Sequence, residues 1–389
     1  VAIHHPTGPP RKASVALVAL IAGGPDGIPR YAAALVQAID EVAPEFPSLD
    51  IGVLAHPPAL ETFELRHLRR TGPGWLDRAT AVTGPRRIAA EQLASLTSRA
   101  DVLHFFDLTL PMISPGRRFV ATVHDAAIVN DFVGERSWHK RVIAPAAVRR
   151  STRLVAVSEF ARQEAITHFA AAPDRVRVVH SGPGLTPAVG RPLVSTAAGP
   201  GPVTAARRPY VLYVGNLMAH KNLPFLIEAF ARAPVNADLL IAGSWGAERA
   251  ELDRLIDRSG AGERIRLTGR VTDAELDLLY RGAIALALPS VYEGFGFTAL
   301  EALARGCPVL AADIPALREV LGDGARFARP DDQDAWVRAI TDVCQDPQER
   351  TRLIAAGAVA VGRYAWQTTA REICALHVEL GGRLRDARG

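Results

Sequence analysis

A chain of 389 residues is long enough for about two domains. Its 48% hydrophobic content fills ordinary cores, yet no apolar run approaches the ~20 residues a membrane-spanning helix requires. A net charge of +4 is too small at this length for general nucleic-acid binding, and the three widely spaced cysteines, Cys307, Cys344 and Cys374, argue against a disulfide framework or zinc site and for a reducing, cytoplasmic compartment.

In chain order, Arg11 and Lys12 precede an eight-residue apolar run, 15–22. The pattern also fits a short signal peptide. A Gly-rich turn and an amphipathic helix follow at once, so the run is read as the first buried strand. The turn contains Gly24, Gly27 and Arg30, and Tyr31, Leu35, Ile39 and Val42 then share one helical face. Strand, Gly-rich turn and helix make a phosphate-binding geometry at a helix start, or an ordinary strand-to-helix turn. The spacing is not G-x-G-x-x-G, which disfavours nicotinamide binding. Residues 56–90 lack periodicity and are assigned to the acceptor side, because such loops carry specificity in α/β scaffolds.

Two more strands are expected at 102–106 and 119–123. The second runs into His124-Asp125 at a strand's C-terminal end, where open α/β sheets place ligands. His124 can donate or accept a hydrogen bond at neutral pH. Asp125 either orients it or caps the next turn. A strand at 154–157 leads to Ser158, read as a helix cap, and 176–179 is the last strand of this half. Residues 183–209 shift to Pro, Gly, Ala and Arg, as a linker between domains does.

A second α/β unit begins with a strand at 210–214, followed by Gly215 and Asn216 and then Lys221-Asn222, with Asn222 read as the cap of the next helix. A cation where a helix begins opposes the helix dipole, unless a diphosphate sits between ammonium and N–H groups. Further on, a strand at 265–267 leads into Gly269-Arg270-Val271 and an Asp273-led helix. The stretch 283–308 then reads as strand, Gly-broken loop and helix, with Glu293, Gly294, Phe295, Gly296, Phe297, Thr298 and Glu301 at its centre. Glycines let the backbone approach a ligand closely, and a helix start suits an anion. Spacing alone also allows Thr298-x-x-Glu301 to be a capping box. Asp332-Gln333-Asp334 is formally a D-x-D, but its setting before an apolar helix suits N-capping better than a metal ion. Residues 383–389 are expected to fray.

Glu293, the following Gly-Phe-Gly and Glu301 resemble the Glu-x7-Glu signature of the family 4 retaining glycosyltransferases, which have the GT-B fold. The strings around Gly27, Arg30 and Tyr31, around His124, around Ser158, around Gly182 and around Lys221 are similar to other stretches of that family. The resemblance implies two Rossmann-like domains with parallel sheets facing across a cleft. Residues 1–190 would bind the acceptor, 191–209 link, 210–364 bind a nucleoside-diphosphate sugar, and 365–389 cross back as a helix. It implies Glu293 on the transferred sugar, Glu301 on the ribose, Lys221 on the phosphates, Arg270 and Val271 beside the base, and His124 near the reacting sugar and acceptor. Gly24, Gly27, Arg30, Gly215, Asn216 and the 294–298 loop would complete the donor site. Ser158 and Gly182 are architectural in this reading. Where the family often carries arginines, this chain has Asn216 and His220. The implied chemistry is metal-independent sugar transfer to a hydroxyl acceptor (small molecule, lipid or glycan) with retention and no cofactor beyond the donor. Peripheral membrane contact stays open. The rivals are a sugar-nucleotide epimerase on the same scaffold and a non-catalytic nucleotide-sugar or glycan-binding protein.

Overall fold

The computed structural model describes residues 12–18, 27–54, 65–71, 98–108, 118–127, 138–184, 208–245 and 248–386. Gly24, most of the 56–90 acceptor stretch and most of the expected linker lie outside the described residues.

The apolar runs become two parallel sheets. The first contains β1 (Ala13–Val18), β2 (Leu49–Leu54), β3 (Arg69–Arg70), β4 (Val102–Phe105), β5 (Arg118–Val123), β6 (Arg153–Ala156) and β7 (Val176–Val178), in the order β3-β2-β1-β4-β5-β6-β7. Every pairing is parallel, with Val15 opposite both Ile51 and Val102. Among the described residues its helices are α1 (Gly27–Val42), α2 (Trp138–Arg150) and α3 (Glu159–Phe169). Strands of Val, Leu, Ala and Phe covered on both faces read as continuous apolar runs, and all of Val102–Phe105 is buried. Tyr31, Leu35, Ile39 and Val42 are the buried stripe of α1. Ser158 caps α3 by accepting the N–H of Ala161 at 2.9 Å.

The second sheet repeats the plan with β8 (Tyr210–Val214), α4 (Leu223–Arg232), β9 (Asp238–Ala242), α5 (Arg249–Ser259), β10 (Ile265–Gly269), α6 (Asp273–Gly282), β11 (Ala285–Leu288), α7 (Phe297–Leu303), β12 (Val309–Ala312), α8 (Pro315–Leu321) and β13 (Ala325–Ala328). Its order is β10-β9-β8-β11-β12-β13, again all parallel. Both sheets therefore reverse direction of growth beside their first strand, and ligands of such sheets bind outside the carboxyl ends at that point. Then come α9 (Gln333–Gln345), α10 (Pro347–Val361) and α11 (Trp366–Asp386). Asp332 caps α9 through the N–H of Ala335, which is the role its setting predicted. The last helix packs on α1 and β1 of the first lobe. It is helical to Asp386, and 387–389, the end of the stretch expected to fray, lie outside the described residues. Among the described residues no helix is long and apolar enough to cross a membrane.

Candidate active site

A cavity of about 720 Å³ lies between the two lobes, at the carboxyl ends of both sheets. From the first lobe it is lined by Gly27 and Arg30 of α1, Asp107 after β4, His124 and Asp125 after β5, and Gly184. From the second it is lined by Gly215 and Asn216 after β8, Gly243 and Ser244 after β9, Arg270 and Val271 after β10, Lys221, and Glu293 to Thr298 with Glu301. The described site residues expected from the sequence thus converge on one space.

Lys221 ends a single 3-10 turn just before α4. Its Nζ donates to Glu293 Oε1 at 2.7 Å, with both side chains largely buried. The opposed helix dipole is met by a carboxylate in this state. Asn222 does not cap α4 as expected. It sits in the left-handed region at φ 55°, and its Nδ2 donates instead to the carbonyls of Pro289 (3.3 Å) and Pro330 (3.1 Å). Those bonds tie the start of α4 to the β11 exit and to the loop before α9, so the local side-chain cap loses to a tertiary demand.

Glu301 is not a capping-box acid either. The residue before α7 is Gly296, at φ 95°, and no side chain caps the helix. Glu301 is 1% exposed. Tyr280 donates to its Oε2 at 2.9 Å, and Arg30 Nη1 approaches Oε1 at 3.4 Å. Burial pushes its pKa above the usual carboxylate range, and Arg30 and Tyr280 offset only part of that. Arg30 also pairs with Asp273 across the cleft at 2.7 Å. A Cβ on Gly184 would lie 2.6 Å from Glu301 Oε1, so glycine lets the first lobe close on this acid.

His124 donates from Nε2 to the carbonyl of Phe106 at 2.9 Å and stands edge-on to Tyr31, with ring centres 4.7 Å apart. Burial lowers its pKa against the pull of that carbonyl and of Asp125 and Asp107. The imidazole is therefore neutral, with Nδ1 as its acceptor nitrogen. Asp125 does not orient it by a hydrogen bond. Its Oδ1 accepts the N–H of Ala127 at 2.9 Å and closes a local turn. The donor loop touches this strand end: a Cβ on Gly294 would fall 1.9 Å from the His124 carbonyl oxygen. Asn216 turns its Oδ1 to the N–H of Met218 at 3.3 Å. Phe295 lines the pocket, but its ring is 3% exposed and packs on Phe297 and Tyr364.

Sequence reasoning missed Asp107, Gly184, Ser244, Asp273 and Tyr280. Asp107 and Ser244 follow strands β4 and β9, and the strand-end rule reaches them. Tyr280 lies 21 residues from its partner on the buried face of α6, where nothing local marks it.

Two family profiles match the chain. One, described as Glycosyltransferase Family 4, covers residues 25–183, and the other, Glycosyl transferases group 1, covers 201–359. The chain belongs to the family 4 glycosyltransferases. O-antigen chain mannosyltransferase B of Escherichia coli is 34% identical over 162 residues, 41% of this chain and 42% of that protein. D-inositol 3-phosphate glycosyltransferase of Streptomyces scabiei is 31% identical over 268 residues, 64% of this chain and 59% of that one. Under two thirds of either relative's length is therefore spanned. Among solved structures, sucrose-phosphate synthase from Thermosynechococcus elongatus matches with a TM-score of 0.73 and 20% identity, over 96% of this chain and 100% of that one. HepE of Anabaena, solved with UDP-glucose, matches at 0.68 and 20% identity, over 94% and 99%. At this identity the neighbours show the fold, which is GT-B. In family 4 terms, the Glu-x7-Glu pair of this chain is Glu293 and Glu301, both on the cleft wall.

Proposed function

We propose that the protein transfers a glycosyl group from a nucleoside-diphosphate sugar to a hydroxyl acceptor, with retention and without a metal ion. One observation carries the reading: Lys221, Glu293 and Glu301 meet in the single space where the carboxyl ends of both sheets face each other. A relative named as a mannosyltransferase and a GT-B neighbour solved with UDP-glucose support a nucleotide-sugar donor.

In this reading the leaving diphosphate carries the developing charge. Lys221 exchanges Glu293 for phosphate oxygen, and Arg30 and Arg270 add positive charge at the same mouth. Glu293, freed from the ammonium, holds sugar hydroxyls. Glu301 holds the ribose hydroxyls in place of its long contact with Arg30. Neutral His124 offers Nδ1 to a hydroxyl of the sugar or the acceptor. Attack occurs on the face of the departing phosphate, which takes the acceptor's proton. The acceptor enters from the first lobe. Three unpaired cysteines suit work in the cytoplasm.

The test is release of nucleoside diphosphate from a panel of nucleotide sugars, with and without candidate acceptors, followed by NMR of the anomeric configuration. Release that rises with an acceptor, and a product of unchanged configuration, is the expected result. Absence of release from every donor removes the transferase reading, and an inverted product removes retention.

A further inference from the structure

The donor loop is held by more than its own lobe. Tyr292, one residue before Glu293, donates its hydroxyl to Glu164 Oε2 of α3 at 2.6 Å and accepts the N–H of Ala126 at 2.9 Å. Its ring packs on Phe160, with centroids 5.7 Å apart. Gly294, one residue after Glu293, receives the Ser158 hydroxyl on its carbonyl at 2.6 Å, and its backbone lies against the His124 carbonyl. Glu293 thus sits between two anchors, both set by the first lobe. The same α3 is held from the second lobe at its N-terminus. Glu319 of α8 accepts the N–H of Glu159 at 2.6 Å, the N–H of Phe160 at 2.9 Å and His180 Nε2 at 3.0 Å. A carboxylate on the free N–H groups of a helix start is a charge-assisted contact. Burial alone would raise the pKa of Glu319. The His180 and backbone bonds outweigh it and hold the group below the usual carboxylate range.

We propose that α3 is an interlobe clamp: Glu319 seats it on the second lobe, and through Tyr292 and Gly294 it sets Glu293 in working position, which makes Tyr292, Ser158 and Glu319 positioning residues. None of them lines the cavity. Lys221, Arg270, Glu293 and Glu301 all belong to the second lobe, so when the clamp opens the nucleoside diphosphate loses only Arg30, whose charge Asp273 already offsets, whereas the geometry at the sugar does not survive. The inference rests on the transferase reading for its kinetic arm only.

The experiment compares wild type with Tyr292→Phe, Glu319→Ala and Glu319→Gln. Tyr292→Phe keeps the ring packing and removes only the hydroxyl. Three quantities are measured: turnover, affinity for UDP or GDP (whichever the wild type binds), and the radius of gyration of the free protein by X-ray scattering. Turnover is expected to fall at least tenfold in Tyr292→Phe and Glu319→Ala, with nucleotide affinity within twofold. Glu319→Gln, which can still accept the backbone N–H groups, is expected to recover part of the loss. Glu319→Ala is expected to enlarge the free protein. Parallel loss of turnover and nucleotide affinity, or unchanged turnover in both variants, overturns the clamp. Should wild type neither bind nucleotide nor turn over donor, the transferase reading fails separately. Scattering then decides alone: an unchanged radius in Glu319→Ala overturns the clamp, and an increased one supports it.

Discussion

Lys221 and Glu293 neutralise each other in the free protein, and that pairing shapes what each substitution does. A diphosphate offers the ammonium more negative charge than one carboxylate, so binding replaces one ion pair with another of larger charge. Lys221→Ala removes the new pair and leaves Glu293 beside the phosphates. Nucleotide affinity is expected to weaken by about 1.5–3 kcal/mol, the range for hydrogen bonds to charged groups, and calorimetry with UDP and GDP reads it directly. Unchanged affinity would take Lys221 out of the site. Glu293→Gln acts the other way on binding. It removes a repulsion and frees the ammonium, so nucleotide affinity holds or rises, while turnover falls by about 10²-fold as sugar positioning is lost. Equal loss of both would mark Glu293 as structural. Gly294→Ala is a steric test. Its Cβ would meet a backbone oxygen at 1.9 Å, and backbone cannot step aside as a side chain can. Turnover is expected to collapse while each lobe keeps its own core, so far-ultraviolet circular dichroism stays unchanged.

At the scale of elements, the alternating apolar runs and Gly-rich turns were enough for two parallel sheets, because strands buried on both faces declare themselves by composition. Ser158 and Asp332 were readable as caps for a related reason: a cap bonds within three residues, so its cause is local. The misreading of Asn222 has the opposite cause, as does the failure of the capping alternative at Thr298-x-x-Glu301: both have capping sequences, but their side chains or backbones are claimed by partners distant in the chain, Pro330 for Asn222, Tyr280 and Arg30 for Glu301. The two acids and the lysine of the site were legible as types at recognisable spacings. The residues that hold them were not, since Tyr280 and Glu319 look like ordinary helix members until the sheets stack. One element-level consequence is measurable. Gly296 precedes α7 at φ 95°, a conformation that costs an L-residue about 1–2 kcal/mol, and a Cβ there also meets Leu317 at 2.6 Å. Gly296→Ala should lower the thermal midpoint and loosen the loop beside Glu293. An unchanged midpoint would show that the turn relaxes without cost.

For the whole molecule, α11 joins the second lobe to the first. It leaves the second lobe beside Tyr364, whose ring packs on Phe295, and buries Ala370, Ile373, Cys374, Leu376 and Leu380 in the core. Trp366 Nε1 donates to the Pro183 carbonyl at 2.6 Å, and Thr369 Oγ1 donates to that of His180 at 2.7 Å. At its centre His377 Nε2 meets His104 Nδ1 at 3.1 Å, and His104 Nε2 meets Thr122 Oγ1 at 3.3 Å; both imidazoles are fully buried. Burial lowers both pKa values, that of His377 to about 3 and that of His104 well below its usual value. Two neighbouring neutral rings can share one proton in a hydrogen bond, whereas two imidazolium ions there would repel each other without solvent. The folded state therefore refuses protons that the unfolded chain accepts below about pH 6.5. Stability from the pair is complete above that pH and falls as the solution is acidified towards the folded values, by about 1.4 kcal/mol per pH unit for each histidine. Glu45, held below the usual carboxylate range by its hydrogen bond from Arg371 at the edge of the same helix, changes charge at lower pH, so it does not blur the interval from 6.5 to 5. His124 and His220, also lowered by burial, add to the slope, and a difference measurement removes them. His377→Gln keeps a hydrogen-bonding side chain and cannot titrate. Its thermal midpoint, followed by calorimetry at pH 7, 6 and 5, is expected to fall less steeply than that of the wild type. Parallel curves would mean that the last helix does not depend on a neutral pair at its centre, and that its docking on the first lobe rests on apolar contacts alone.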